Sequence, residues 1–238
     1  MSCSPPSVCL PANIEVWNAD QADTQFQGED MSHELASLLL TECIQYSLHS
    51  SCQPLFALYL DAKSAFDVVV RQLLIKNLYF CGTSEAGITY IDSRLKHRNT
   101  FIDWEKRILG PIQDERGLEQ LEVSSSDFYK IFGKEQLETA NKSELGVTMR
   151  DITISAIGQA DDTVLVSNNP YDIGNLLSLT LTFCSKYQVN ICPEKTKLQA
   201  FTTEGLSDIT KYQKDNTSLS INGKAIEFAD NVEHVGVV

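Results

Sequence analysis

The first 62 of the chain's 238 residues contain no Lys or Arg. Eight acids leave that stretch at −8, residues 63–107 carry +3, and residues 108–238 return to −8, for a net −13 at pH 7. A protein that grips nucleic acid unaided displaces counterions with a basic stripe, so weak nucleic-acid binding is expected. Only the middle segment suits a phosphate backbone. Long apolar runs are also missing. The longest uncharged stretch, Cys43–Leu60, includes Gln45, Ser47, His49, Ser50, Ser51, Gln53 and Pro54, too polar to cross about 30 Å of hydrocarbon. No membrane span is expected. The opening MSCSPPSVCLPAN lacks the basic region and apolar core of a signal peptide, which predicts an intracellular protein.

None of the seven cysteines lies in a Cys-x-x-Cys pair, and no His-x-x-x-His stands nearby, so neither a disulfide framework nor a zinc site is indicated. They read as buried thiols. No Gly-x-x-x-x-Gly-Lys or Gly-x-Gly-x-x-Gly occurs, which disfavours P-loop and Rossmann nucleotide binding. With only 12 Gly and 7 Pro, 42% hydrophobic and 21% charged residues, the composition is that of a folded chain. Its length predicts one domain, or one with a partial neighbour.

Residues 1–28 show no clear period and read as an irregular lead-in to a domain over 29–238. Leu35, Leu38, Leu39, Cys43 and Tyr46 recur at helical spacing and predict a helix over 31–49. LFALYL then reads as a buried strand ending at Asp61. A helix follows with Val69, Val70, Leu73, Leu74 and Leu78 inward, closed at Cys81-Gly82, and another over 84–97. Residues 99–123 read as short extended segments. Ser124-Ser125-Ser126 offers helix caps for a helix to about 140. DITISAI (151–157) and TVLVS (163–167) read as a hairpin with Asp161 and Asp162 at its tip. Asn169-Pro170 opens a further helix, and strands follow at 188–192, 197–202, 218–221 and 225–228, the last two joined by Asn222-Gly223. Strand, helices, hairpin, helix, strand is the order of an α+β, ferredoxin-like split βαβ unit. In it the end of the first strand and the hairpin tip lie side by side.

An Asp at a strand end or in a turn is ordinarily a turn former. Three brought together would gather oxygen ligands and negative charge, which suits Mg²⁺ and phosphate rather than zinc. Such a site predicts phosphoryl transfer with two ions about 4 Å apart. Consecutive acids near a strand point in opposing directions, so Asp161 and Asp162 can serve two ions, or one can ligate while the other supports.

FALYLDAKSAFD (56–67) resembles the first palm motif of reverse transcriptases, and AIGQADDTVLV (156–166) resembles their alanine-aspartate-aspartate motif. The likeness is to the class from retrotransposons lacking long terminal repeats. It continues in order through RGLEQ (116–120), SSSDFYKIF (124–132), VNICPEKTKL (189–198) and the terminal EHVGVV. The resemblance implies RNA-directed DNA polymerase activity from a palm, with an RNA template, a DNA primer and deoxynucleoside triphosphates as partners. It makes Asp61, Asp161 and Asp162 the metal-binding carboxylates for two Mg²⁺ ions, with Mn²⁺ as an alternative, and sets the Ala62 carbonyl beside the second ion. Phe66 would sense the sugar, Gln120 would line the nucleotide pocket, and Lys195 would donate a proton to pyrophosphate. From spacing alone, Phe66 reads equally well as a core residue, and Lys195 as a solvated one.

Three departures stand out. The family carries Gly where this chain has Leu121, and an aromatic residue where it has Gln159. Of the basic fingers only TQFQG (24–28) remains, and the sequence stops at Val238, ahead of the family's thumb. The expectation is a palm with partial fingers and no thumb. Two readings remain open: a polymerase domain, or an inactive retrotransposon-derived remnant serving as a folded interaction domain. A nucleotide cyclase shares the two-ion logic, but its Gly-Gly-acid hairpin is absent.

Overall fold

Pro54 leads into the strand β1, Leu55–Lys63, whose first six residues are all buried. A strand covered on both faces needs no polar alternation. The computed structural model describes residues 33–96, 99–113, 115–119, 124–202, 219–229 and 232. The lead-in, the TQFQG segment, Gln120, Leu121 and EHVGVV lie outside the described residues. Those described divide into two compact units: Arg71–Glu115, and the described parts of Phe26–Val70 and Arg116–Val238.

Helix α1, His33–Gln45, runs on into a π turn, Tyr46–Ser50, and precedes β1. Its buried stripe is Ala36, Leu39, Leu40, Cys43 and Ser47, whereas Leu35 and Leu38 are 42% and 55% exposed. The expected face is thus turned: small residues at 36 and 47 allow close approach to the sheet, and the long leucines flank it. In the smaller unit, α2 (Arg71–Phe80) and α3 (Glu85–Lys96) precede a hairpin of β2 (Asn99–Trp104) and β3 (Arg107–Gln113). Val69 and Val70 lie before α2 rather than on it. Gly82, at φ +81, ends the α2 turn as expected. Arg71 donates to the Leu95 carbonyl at 2.7 Å, joining the two helices.

The larger unit continues with α4 (Ser125–Asn141), β4 (Val147–Met149), β5 (Ile152–Ile154), β6 (Ala156–Gln159), β7 (Asp162–Ser167) and α5 (Pro170–Tyr187). It is completed by β8 (Asn190–Ile191), β9 (Lys197–Phe201), β10 (Ser220–Ile221), β11 (Lys224–Ala225) and β12 (Glu227–Phe228). The main sheet has the order β12-β9-β1-β7-β6, and β8 pairs the far end of β1. Strands β9, β1, β7 and β6 are mutually antiparallel, while β12 runs parallel to β9. Leu55, Ala57 and Tyr59 of β1 pack with the α1 stripe and with Val164 and Val166 of β7. Alternation turns Phe56, Leu58 and Leu60 to the opposite face, where α4 and α5 lie against the sheet.

Caps met expectation unevenly. The Asn169 side chain accepts from Tyr171 N and Pro170 follows it; Ser124 makes no side-chain cap bond, and its carbonyl instead accepts from Phe128 N at 2.9 Å. The expected strand over 151–157 is two strands, the first paired with β4. Asn141 explains the break. Its Oδ1 accepts from Ser155 N at 2.7 Å and Ala156 N at 3.0 Å, and its Nδ2 donates to the Ala156 carbonyl at 3.1 Å. The side chain thereby satisfies the main chain at the junction and starts β6. After α5, Gln188 takes a left-handed turn, so β8 begins only at Asn190.

Cys43 and Cys184 are buried free thiols, but Cys52 is exposed and Cys81 and Cys192 are intermediate, which corrects the expectation of uniform burial. Burial, with the Glu42 charge adding, pushes the Cys43 thiol up to about 12, and burial pushes Cys184 up to about 11. The thiolate is the reactive form. Among the cysteines of the described residues, iodoacetamide near pH 8 should therefore label Cys52 first and leave Cys43 and Cys184 until the chain is unfolded in urea. Peptide mass mapping reads the order, and early Cys43 labelling would contradict the packing of α1.

Candidate active site

Strands β1 and β7 place the first and third sequence-predicted acids directly opposite each other. Asp61 pairs with Asp162 at the end of the ladder that begins with Phe56 and Ser167. Opposed residues project to the same face, with Cβ atoms about 5 Å apart. That face is the one covered by α1, because Asp162 shares a small cavity with Ala36, Ser37 and Leu40. Like charges set opposite one another destabilise a sheet. A structural role alone gives no reason to place them so.

The β6–β7 turn consists of Ala160 and Asp161, since Gln159 pairs with Asp162. Ala160 is held at φ +54, a backbone region that side-chain-bearing residues enter at a cost. Asp161 lines a cleft of about 470 Å³, including space open to solvent, with Leu60, Ala62, Tyr129, Gly133 and Leu137. The two neighbouring acids thus border different cavities. Among the described residues, no three His, Cys, Asp or Glu side chains group closely enough to hold a metal ion. Gln159 is 8% exposed, and its Oε1 is buried without a hydrogen-bond partner.

Lys195 reaches Asp61 through a tight turn. Cys192 N donates to the Asp61 carbonyl at 2.8 Å, while the Cys192 carbonyl accepts from Lys195 N at 3.3 Å and Thr196 N at 3.0 Å. The Lys195 ammonium then lies 3.5 Å from Asp61 Oδ1 with its side chain 69% exposed. In the same turn, a hydrogen bond from Lys224 holds the Glu194 carboxyl down to about 2. Ala62 pairs with Ile191 of β8 and borders the Asp161 cleft. Phe66 lies in the turn after β1, its ring 5.3 Å from that of Tyr129. Burial first, and the Asp161 charge second, push the Tyr129 hydroxyl above the ordinary tyrosine range.

Asp61, Asp162 and Lys195 are therefore gathered at one end of the sheet, with Asp161, Ala62 and Tyr129 around the adjoining cleft and Phe66 against the Tyr129 ring. Gln120 lies outside the described residues. Asn141, Gly146 and Tyr129 were missed as site-shaping residues. For Asn141 the available signal was its place between a helical pattern and a strand-rich run; Gly146 and Tyr129 act through contacts remote in sequence.

The chain is a member of the reverse transcriptase (RNA-dependent DNA polymerase) family, whose model matches residues 18–228. Among curated proteins it is similar to the retrovirus-related Pol polyprotein from type-1 retrotransposable element R2 of Popillia japonica, 24% identical over 170 residues. That match covers 71% of this chain and 27% of the relative. Among solved structures it is similar in fold to telomerase from Candida tropicalis in complex with a fragment of telomeric RNA. The TM-score is 0.60 at 12% identity, covering 80% of this chain and 32% of that one. The apo telomerase of the same organism gives a TM-score of 0.53 at 13% identity, over 69% of this chain and 32% of that one. The chain thus spans about a third or less of the length of these relatives. Among the described residues, no helix is long and apolar enough to cross a membrane.

Proposed function

We propose that this chain is the palm of an RNA-directed DNA polymerase, adding deoxynucleotides to a primer 3′-hydroxyl on an RNA template inside the cell. The observation that carries the reading is the Asp61–Asp162 pair, two like charges opposed in one ladder beside the turn that presents Asp161. The strand order β9-β1-β7-β6 with α4 and α5 between supports reading the sheet as a ferredoxin-like split βαβ. The RNA bound by the neighbouring telomerase supports an RNA partner, and the net charge of −13 makes contacts from outside the palm necessary for firm grip.

The donor set is oxygen alone, which fits Mg²⁺ or Mn²⁺. Asp61 and Asp162 would hold one ion, and Asp161 with the Ala62 carbonyl a second. Mg²⁺ is commonly bound by one or two carboxylates plus substrate phosphates, so the triphosphate would supply the remaining oxygen ligands. When bound, the ions supply Lewis-acid activation of the attacking hydroxyl and neutralise charge on the leaving pyrophosphate. The chain's own residues do the rest. Lys195, 3.5 Å from Asp61 Oδ1, would pass a proton to departing pyrophosphate. Phe66 bounds the sugar and turns away a 2′-hydroxyl, and Gln120 would line the same pocket. The test is primer extension on poly-A with Mg²⁺ and dTTP, comparing the chain with its Asp161→Asn, Asp162→Asn variant. Equal signals would retire the enzyme and leave the interaction-domain reading.

A further inference from the structure

Phe66 is held from two sides. Its carbonyl accepts from Leu118 N at 2.8 Å, and the Val69 carbonyl accepts from Gly117 N at 3.0 Å. Gly117 sits at φ +84, and a Cβ there would lie 2.9 Å from the Asp67 carbonyl oxygen. The main chain behind Phe66 therefore has no room to withdraw. On the other side its ring meets Tyr129 at 5.3 Å and a 47° tilt. Tyr129 meets Phe132 at 5.9 Å, and the fully buried Phe132 packs edge-on against Phe183 at 5.8 Å and Tyr187 at 5.9 Å. Tyr187 donates from its hydroxyl to Glu135 at 2.6 Å, and Lys186 donates to the same carboxylate at 2.7 Å. A continuous aromatic series thus runs from the α4–α5 interface to Phe66, with Tyr129 as its last member before the cleft that also borders Ala62 and Asp161.

We propose that Tyr129 is a positioning residue for sugar discrimination: its ring fixes where the Phe66 ring stands against the sugar of a bound nucleotide, and so how firmly a 2′-hydroxyl is rejected. The inference rests on the polymerase reading and adds the residue that sets the wall. Aromatic pairs favour tilted contacts at centroid separations of about 4.5–7 Å. An aliphatic side chain at 129 removes that contact and opens space into which the Phe66 ring can turn. The hydroxyl is not required for this role; the ring is.

The experiment measures kcat/KM for dTTP and for UTP on a primed poly-A template. Tyr129→Phe should keep the parent's ratio. Tyr129→Leu should lower the preference for dTTP about tenfold, within the range for one altered contact in a specificity pocket, chiefly through a lower KM for UTP. Tyr129→Met, which fills volume flexibly, provides a milder variant and should lower the ratio in the same direction. Phe66→Ala should lower it further, and adding Tyr129→Leu to Phe66→Ala should change nothing more, because the first acts through the second. General damage to the fold would depress both nucleotides together and leave the ratio alone. An unchanged ratio in Tyr129→Leu and Tyr129→Met overturns the inference while the polymerase reading stands. A parent chain that extends with neither nucleotide overturns the polymerase reading, and this inference with it.

Discussion

Replacing Asp161 and Asp162 together by Asn is expected to cut poly-A-templated extension by at least about a hundredfold, equivalent to about 2.7 kcal/mol of transition-state stabilisation. Asparagine keeps the size of aspartate and leaves the Gln159–Asp162 and Asp61–Asp162 main-chain pairings available. What changes is charge. The repulsion between positions 61 and 162 is relieved, so loss of activity should not be accompanied by loss of folding; cross-strand terms of this kind are worth about 0.2–1 kcal/mol. The companion measurement is thermal unfolding against Mg²⁺. An ion binding only the folded chain at a hundred times its Kd adds about 2.7 kcal/mol, which for a chain of this size moves the midpoint by roughly 2–4 °C per kcal/mol. Asp61→Ala should abolish that shift. A shift of equal size in the parent and Asp61→Ala would mean that the ions bind elsewhere.

Gly146→Ala is expected to cost at least about 3 kcal/mol. A Cβ at 146 would stand 1.9 Å from the Ile154 carbonyl oxygen, 2.3 Å from its carbon and 2.6 Å from Ser155 Cα. All three are main-chain atoms, so no rotamer change makes room. Overpacking alone costs about 1–3 kcal/mol. Here the displaced segment also carries the three hydrogen bonds to Asn141, each worth about 1 kcal/mol. Gly133→Ala is the contrasting substitution, because a Cβ there meets nothing within 4 Å and helix propensity favours alanine by about 1 kcal/mol. Urea midpoints should move in opposite directions for the two variants. A Gly146→Ala chain as stable as the parent would contradict the packing of β4, β5 and β6.

The outline of the sheet was legible because strong local signals agreed with it. The apolar run of β1, the hairpin that joins the end of the 151–157 run to 163–167, Asn169-Pro170 before α5 and Asn222-Gly223 between β10 and β11 each act within a few residues, whereas residues 152–154 pair with β4 instead of β7. Side-by-side placement of Asp61 and Asp162 followed from the element order. Less was legible where distant contacts decide. The face that α1 buries is set by close approach to β6 and packing against the sheet, which favours Ala36 and Ser47 over Leu35 and Leu38. The break at Ser155 depends on Asn141, a side chain whose partners lie 14 and 15 residues away. Gln159, a departure from the family's aromatic residue, is buried in the hairpin with its amide oxygen unpartnered. Burial of such an oxygen costs about 1–3 kcal/mol, a penalty that polarity alone does not disclose.

Because Asp61 and Asp162 project from one rung of the β1–β7 ladder rather than from flexible arms, their spacing is metered by the peptide hydrogen bonds of those strands. Surface drift in the helices leaves that interval untouched, whereas a slip of one rung would send one carboxylate to the opposite side of the sheet. The main chain of these two strands therefore acts as the gauge of the acid pair, and the hydrophobic residues from Phe56 to Leu60 that lock its register belong to the site as much as the acids do.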